Sequence, residues 1–316
     1  MLNILARMIF QLIPVARPDH FATGDVYTLL SILRSAPVHG NLILINQDLA
    51  GFFTSIDQER FIGAWYMLLD FLWLHMNVDD NDVFSAYLIK GRTFRRLNLT
   101  RKIVIKDVPS LLTTALNMKT FALGQRCIRQ RRGSPMGSPL SPALCLMVVS
   151  ISEQIWSINF KQILSNHHLF IKHIRYVDNR LIFGDARLQD LPPYEVLLDE
   201  GFYGKPIILE TEPDQEFLGF MLETQPLELI YSGPTNISQV LSPYSASPHK
   251  VLLSGFRSRC HIVVKRAFPD HRLRQGLDQL IQLYILAGFS SDELHHISTK
   301  ILNLHQTDKI EPDATD

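Results

Sequence analysis

The stretch IRYVDNRLIFGD, residues 174–185, decides the fold, because two runs of strand-forming residues flank a short acidic break. Residues 171–176 and 180–184 are rich in Ile, Tyr and Phe, which is typical of strands. Residues 177–179 lie between them and predict a β-hairpin with Asp178 at its turn. The hairpin presents one carboxylate, followed at once by the amide of Asn179.

A second acidic strand end is predicted at Asp48. The run LILIN after the break at His39 and Gly40 predicts a buried strand over residues 41–47, and Asp48 follows directly. Residues 57–76 then predict a helix behind this strand, since apolar side chains recur at helical spacing. Carboxylates at the ends of adjacent strands can share a pair of Mg²⁺ ions. Taken singly, either aspartate is more often a turn residue.

The composition is that of a folded chain with a sizeable core, since 46% of its 316 residues are hydrophobic and 20% are charged. A disordered or fibrous protein is therefore disfavoured. Lys plus Arg (31) equal Asp plus Glu (31), so a surface for a polyanion must come from local clustering. Three cysteines without a CxxC pairing argue against a zinc site or a disulfide framework and favour an intracellular setting.

No membrane-spanning segment is predicted. Residues 1–16 are apolar, but they lack a small-residue cleavage pattern and are interrupted at Pro14. The apolar runs at 66–76 and 140–151 are shorter than the roughly 20 residues that a bilayer requires. We therefore expect no membrane partner.

Changes of composition along the chain predict three segments. Residues 1–235 contain both acidic strand ends, and a second segment, 236–306, is helical and basic after a linker rich in Ser, Pro and Asn. The acidic residues 307–316 predict a disordered tail. Shorter elements are also predicted: a basic two-stranded ribbon over 90–106, helices over 110–123 and 192–201, and strands over 206–212 and 216–222.

Four short sequence motifs resemble the palm motifs of reverse transcriptases: DLAGFFTSID (48–57), GSPMGSPLSP (133–142), RYVDN (175–179) and EFLGF (216–220). The residues of these motifs are most similar to those of the group II intron, retron and Penelope-like branches. The resemblance covers residues 41–222. It implies an α+β right-hand polymerase fold: a palm with an antiparallel sheet and packed helices, truncated fingers and a helical thumb. The fingers are expected to be truncated because only residues 1–47 precede the first motif, which begins at Asp48.

The resemblance implies a two-metal site. Asp48 and Asp178 would be the catalytic carboxylates that bind two Mg²⁺ ions, with the Leu49 carbonyl as a backbone ligand. Asn179 stands where the family usually has a second aspartate, and it would complete the catalytic set. Its amide removes one negative charge, which weakens the binding of a hard cation and favours Mn²⁺.

Contacts to nucleotide and nucleic acid are implied around this site. Phe53 would be a steric gate that collides with a 2′-hydroxyl and selects deoxynucleotides, although a core aromatic beside Phe52 is the alternative. Gly137 and Ser138 would support the incoming nucleotide, because glycine lets backbone approach closely. The residues implied to contact template or primer are Arg129, Arg131, Arg132, Tyr176, Leu218, Gly219, Arg257, Arg259, Lys265 and Arg266. The last four lie on a basic segment whose alternative interpretation is a solvated helix face.

The implied function is RNA-directed DNA synthesis by the reverse transcriptase of a retroelement such as a retrotransposon. Its partners would be an RNA template, a DNA or RNA primer, and dNTPs. Two alternatives stay open. Asn179 and the short N-terminal region suggest an impaired or dead relative that only binds nucleic acid, whereas an RNA-directed RNA polymerase is disfavoured by Phe53.

Overall fold

The fold is taken from a computed structural model that describes residues 2–23, 41–84, 103–118, 120–130, 132–135, 137–213, 215–224, 227–234 and 236–308. The helices in these ranges are α1 Leu2–Ala16, α2 Gln58–Met76, α3 Val108–Asn117, α4 Ser141–Asn166, α5 Pro192–Leu198, α6 His249–Arg266, α7 Asp270–Leu286 and α8 Ser291–Asp308. The strands are β1 Leu42–Ala50, β2 Val83–Phe84, β3 Ile103–Val104, β4 Thr120–Leu123, β5 Arg126–Arg129, β6 Ile171–Tyr176, β7 Asn179–Asp185, β8 Ile208–Thr211, β9 Glu216–Phe217, β10 Phe220–Thr224 and β11 Leu227–Tyr231. Most of the predicted basic ribbon lies outside the described residues, as do Arg131 and residues 309–316.

A four-stranded antiparallel sheet in the order β6-β7-β1-β8 carries Asp48 and the hairpin turn of Asp178. Because β1 extends to Ala50, Asp48 lies inside this strand and does not follow it as predicted. In the centre of the sheet, β1 pairs with β7 so that Asp48 lies opposite Asn179, and it pairs with β8 so that Asp48 lies opposite Glu210. The predicted hairpin is confirmed, with Tyr176 opposite Asn179. Asn179 belongs to β7, however, so the turn consists of two residues rather than three.

The two faces of this sheet bury different cores, because successive side chains of a strand point to opposite sides. On one face, Ile43 and Ile182 pack with Trp156 of α4. On the other face, Phe183 packs with Phe220 of a second sheet, which has the order β11-β10-β9. Asp48 and its partner Asn179 lie on this second face, at the end of the sheet.

Helices supply the other two cores. The first four, α1 to α4, form the largest cluster, and α4 is the one described helix long and apolar enough to cross a bilayer. Most of that apolar stretch is buried inside the protein, where it packs in the core. The C-terminal helices α6, α7 and α8 form a separate cluster, and the apolar face of α7 packs into it.

Two predicted elements differ from the structure: a glycine turn lies inside the first and directly follows the second. The predicted strand over 216–222 is broken by Leu218 and Gly219, which both have positive φ and connect β9 to β10. The predicted helix over 110–123 ends at Asn117, and β4 pairs with β5 across Gly124, whose φ is +60°. Glycine adopts this conformation at little cost, and Gly219 and Gly124 were the available turn signals in the sequence.

Other predicted bounds are shifted by a few residues. The helix predicted over 192–201 ends at Leu198, and the strand predicted over 206–212 is limited to Ile208–Thr211. Pro14 lies inside α1, close to its end, instead of ending it. The first two residues of the predicted disordered tail, Thr307 and Asp308, belong to α8.

His173 on β6 lies in an aromatic environment behind the central sheet. Its ring stacks on Phe21 with the centroids 4.2 Å apart and meets Trp156 edge-on at 4.6 Å. Burial lowers the pKa of His173 to about 3, and the positive charges of Arg180 and Lys172 act in the same direction. The imidazole is therefore neutral in the folded protein at neutral pH.

We expect the free energy of unfolding to decrease as the pH falls from 6.5 towards 3. In this range the unfolded chain binds a proton at His173 that the folded chain does not bind, at up to about 1.4 kcal/mol per pH unit. His173→Phe retains an aromatic ring and removes the titration. Its urea midpoint should therefore fall less between pH 6.5 and 4.5 than that of the wild type, whereas His261→Phe, an exposed change on α6, should follow the wild type. Parallel pH profiles for His173→Phe and wild type would contradict this assignment.

Candidate active site

Asp48 and Asn179 meet where the pairing between β1 and β7 ends. They are directly opposite each other in the register, and Asn179 Nδ2 donates a hydrogen bond to Asp48 Oδ1 at 3.1 Å. Both side chains are half-buried. The amide thus gives the carboxylate a donor that an ionised aspartate at position 179 would lack.

Asp178 is the second residue of the two-residue turn between β6 and β7. Its backbone oxygen accepts the N–H of Leu49 at 3.1 Å, which ties the turn to β1. Val177, the first turn residue, has a φ of +60°, in the left-handed region that β-branched residues rarely adopt. The chain therefore holds a strained residue directly before the one that carries the second carboxylate.

Negative charge is concentrated at this end of the sheet. Burial raises the pKa of Asp48, and the negative charges of Asp178, Glu212 and Glu210 raise it further, whereas a backbone hydrogen bond from Leu49 lowers it. Glu210 lies on β8, directly opposite Asp48, and Glu212 donates its N–H to the carbonyl of Asn46 on β1. The carboxylate of Asp48 is therefore less favourable here than in water, and positive charge brought to the site would favour it.

The donor set fits a hard divalent cation, since Mg²⁺ and Mn²⁺ prefer carboxylate and carbonyl oxygens. Asp48 and Asp178 supply the carboxylates. The Leu49 carbonyl accepts the N–H of Phe52 at 3.1 Å and retains a second lone pair. Among the described residues, no three His, Cys, Asp or Glu side chains come close enough to hold one ion.

Phe53 follows a tight turn after β1 in which Gly51 has a φ of +68°. Phe52 is buried, whereas Phe53 is half-buried, and their rings meet edge-to-face with the centroids 5.0 Å apart. Phe53 is therefore the ring of the pair that remains accessible, in the turn that follows β1.

The loop at the start of the motif GSPMGSPLSP (133–142) lies directly on the backbone of Phe53. The N–H and the hydroxyl of Ser134 both donate to the Phe53 carbonyl, at 2.8 and 3.2 Å. A Cβ atom at Gly133 would lie 2.4 Å from that carbonyl oxygen, and Gly133 has a φ of +75°. Only glycine fits this close approach. The motif at 133–142 therefore contacts the motif at 48–57 directly.

Gly137 and Ser138, predicted to contact the nucleotide, lie between this loop and α4. Gly137 is exposed and has a φ of +77°. The hydroxyl of Ser138 accepts the N–H of Leu140 at 3.3 Å, just before the first turn of α4. Ser138 therefore has a structural role at the start of the helix, whatever it contributes to a nucleotide.

The predicted nucleic-acid residues near the site differ in their surroundings. Tyr176 is 38% exposed and lies on β6, directly opposite Asn179 on β7. Arg132 is exposed, and its Nε lies 3.9 Å from Asp57. Leu218 and Gly219 form the turn between β9 and β10, next to the Glu216 carbonyl that accepts Asn46 Nδ2. Arg131 and the side chain of Arg129 lie outside the described residues.

The predicted nucleic-acid residues of the C-terminal segment all lie on α6. Arg257 and Lys265 are exposed and Arg266 is half-buried. Arg259 instead donates to the Tyr284 hydroxyl at 3.1 Å and to the Gln239 carbonyl at 3.2 Å, and its guanidinium lies over the Tyr284 ring. Its hydrogen bonds hold α6 against α7, which leaves Arg257 and Lys265 as the more exposed candidates.

Sequence reasoning missed a polar layer behind the site strands. Arg180 is fully buried and donates from Nε and Nη2 to Gln47 Oε1, and from Nη2 also to the Leu197 carbonyl. Gln47 adjoins Asp48 and Arg180 adjoins Asn179, so this contact fixes the same pairing from the opposite face. Glu153 and Arg175 form a second buried pair, and a lone carboxylate in the apolar α4 was the available signal.

The arrangement of elements is similar to that of solved telomerase chains. Telomerase from Candida albicans, in complex with the TWJ fragment of telomeric RNA, matches with a TM-score of 0.59 at 12% identity, over 97% of this chain and 52% of that chain. Telomerase from Candida tropicalis matches in its apo form (TM-score 0.53, 12% identity, 96% and 53% covered) and in complex with the TWJ fragment (0.51, 11%, 98% and 55%). No protein-family model and no curated protein matches the chain.

The chain has a reverse-transcriptase-like fold. It spans about half the length of the telomerase chains that it matches. The closer likeness to the group II intron, retron and Penelope-like branches stays a prediction, and so does the division into palm, fingers and thumb.

Asn179→Asp should separate the two effects of the natural amide. The change removes the hydrogen bond to Asp48 and adds a like charge, so in EDTA the variant should be about 1–3 kcal/mol less stable than wild type. Millimolar Mg²⁺ should raise its melting temperature more than that of the wild type. Asn159→Asp, the same change at an exposed position on α4, should do neither. Equal stability of Asn179→Asp and wild type in EDTA would show that the Asn179 contact is unimportant.

Proposed function

We propose that the chain is the polymerase core of an RNA-directed DNA polymerase, with the four-stranded sheet as its palm and Asp48 and Asp178 as its catalytic carboxylates. One observation carries the proposal: β1 and β7 pair in the register that sets Asp48 beside the turn of Asp178. The similarity of the fold to telomerases, which are reverse transcriptases, supports the reaction class.

The side chains at the site have distinct roles in this proposal. Two Mg²⁺ or Mn²⁺ ions would activate the primer 3′-hydroxyl and stabilise the leaving pyrophosphate when bound. Asp48 and Asp178 hold the ions, and the amide of Asn179 orients the Asp48 carboxylate. Phe53, fixed by Ser134 through its carbonyl, lies against the incoming sugar and disfavours a 2′-hydroxyl.

The partners follow from the same proposal. An RNA template, a DNA or RNA primer and dNTPs meet at the site, and the exposed Arg257 and Lys265 of α6 contact the duplex backbone as part of a thumb. The Candida albicans neighbour is described with a telomeric RNA fragment, which supports RNA as a partner class. A retroelement origin is proposed from the residues of the four sequence motifs alone.

A second candidate is a reverse-transcriptase-like protein that binds nucleic acid without catalysis. The observation that favours it is Asn179, since the site has one carboxylate fewer than the family pattern. Glu210 and Glu212 supply negative charge nearby. Catalysis through Asp48 and Asp178 is therefore the better supported of the two.

Primer extension tests the proposal against both alternatives. The purified chain should extend a primer on an RNA template with dNTPs, more strongly in Mn²⁺ than in Mg²⁺. Asp48→Asn and Asp178→Asn should each reduce the rate on the order of a thousandfold, because each removes several kcal/mol of cation-dependent stabilisation. Asp70→Asn, an exposed change on α2, should retain the wild-type rate.

The failing outcomes identify the alternatives. Duplex binding without extension under any metal condition would establish the non-catalytic candidate. Extension with ribonucleotides in preference to dNTPs would establish an RNA-directed RNA polymerase.

Phe53→Ala tests the steric gate. Removing the accessible ring should increase the use of ribonucleotides relative to deoxynucleotides by about 10- to 100-fold, since the collision with the 2′-hydroxyl is lost. The measurement is the ratio of kcat/KM for the two nucleotides. Phe10→Ala, at an exposed ring on α1, is the matched control. An unchanged ratio in an active Phe53→Ala protein would remove Phe53 from the site.

A further inference from the structure

The strained turn at Val177 requires something that holds it. A valine at a φ of +60° is a backbone outlier, and such outliers persist only where their surroundings fix them. The turn itself is short, and its exposed tip has little packing, since Val177 is 36% exposed. The restraint must therefore come from contacts to the backbone of the turn.

Arg175 is placed to provide that restraint. Its side chain is 1% exposed, and its Nη1 donates to the carbonyl oxygen of Val177 at 2.8 Å. The other donors are directed away from the turn: Nε donates to Glu153 Oε1 at 2.5 Å and Nη2 to Glu153 Oε2 at 3.2 Å. The planar guanidinium is thus fixed along one edge while a third donor holds the turn.

Glu153 is itself held firmly. It is fully buried on α4, and besides Arg175 it accepts the Tyr203 hydroxyl at 2.9 Å and the N–H of Phe21 at 2.8 Å. A buried ion pair has a large desolvation cost and is weak evidence of a stabilising role. The direction of the free guanidinium donor, towards the strained turn, gives this pair a specific effect.

The turn is also tied to β1, the neighbouring strand of the sheet. The Asp178 carbonyl, one peptide beyond the oxygen that Arg175 binds, accepts the N–H of Leu49 next to Asp48. The backbone of Val177 and Asp178 therefore lies between Arg175 behind the sheet and β1 beside it within the sheet. Loss of the rear contact would let the turn relax and move Asp178 relative to Asp48.

We propose that Glu153, acting through Arg175, is a positioning residue that holds the strained Val177–Asp178 turn and so fixes Asp178 beside Asp48. The inference rests on the proposed function for its catalytic consequence. Its geometric consequence, a firm hydrogen bond between Leu49 and Asp178, holds independently of any activity.

Arg175→Lys is the variant that tests the proposal most selectively. Lysine keeps the positive charge next to Glu153, so the buried carboxylate stays paired, but its single ammonium group cannot also bind the Val177 carbonyl with fork geometry. We expect kcat for nucleotide addition to fall by about 10- to 100-fold, with KM for the nucleotide within about twofold of wild type. The amide of Leu49 should exchange with solvent about tenfold faster, as followed by NMR.

Val177→Gly should rescue Arg175→Lys. Glycine adopts positive φ without strain, so the turn keeps its shape without the rear contact. The double variant should therefore recover most of kcat and of the Leu49 amide protection. Arg187→Lys, the same change in an exposed ion pair with Asp185 at the far end of β7, should alter neither measurement.

Tyr203→Phe provides a milder variant that retains both charges. It removes one donor to Glu153, and it should shift kcat and Leu49 exchange in the same direction as Arg175→Lys, by a smaller factor.

Two results would overturn the proposal. One is an unchanged Leu49 exchange rate in Arg175→Lys. The other is a defect of the same size with and without Val177→Gly, which would show that the pair only stabilises the fold. If the wild type itself extends no primer, the proposed function fails, and the exchange rates still decide whether Glu153 and Arg175 hold the turn.

Discussion

The pairing of β1 with β7 is the constraint on which the rest of the structure depends. It joins segments 131 residues apart, as the hydrogen bond between Asn179 and Asp48 shows. A slip of one residue would turn Asp48 towards the helices and bring Gln47 to the other face, because side chains alternate along a strand. The buried bond between Arg180 and Gln47 opposes such a slip from behind. One register therefore fixes both the core and the acidic site.

The two faces of the central sheet have opposite electrostatic character near this pairing. Behind the strands, Arg180 and Arg175 are buried with Glu153 and other polar partners. In front, Asp48 lies among carboxylates that raise its pKa. Burying charge on one side and crowding like charge on the other both oppose folding. Such arrangements are typical of functional sites, where local stability is lower than packing alone would allow.

Local pattern predicted the elements that carry the site, and tertiary contacts decided what surrounds them. The hairpin, the strand that carries Asp48 and the helix α2 follow from hydrophobic periodicity and turn signals within ten to twenty residues. The partners of Asp48 on β8 and the role of Glu153 depend on pairings across the whole chain, which no single segment encodes. The Gly219 turn was predictable in principle, since a glycine inside a strand pattern is itself a turn signal.

Anomalous diffraction from crystals soaked in Mn²⁺, with a primer, an RNA template and a non-reactive dNTP bound, tests the central claim most directly. The account predicts a manganese peak with both Asp48 and Asp178 as ligands and with Asn179 still donating to Asp48. Peaks confined to other carboxylates such as Glu210 and Glu212, or no peak at this end of the sheet, would contradict it.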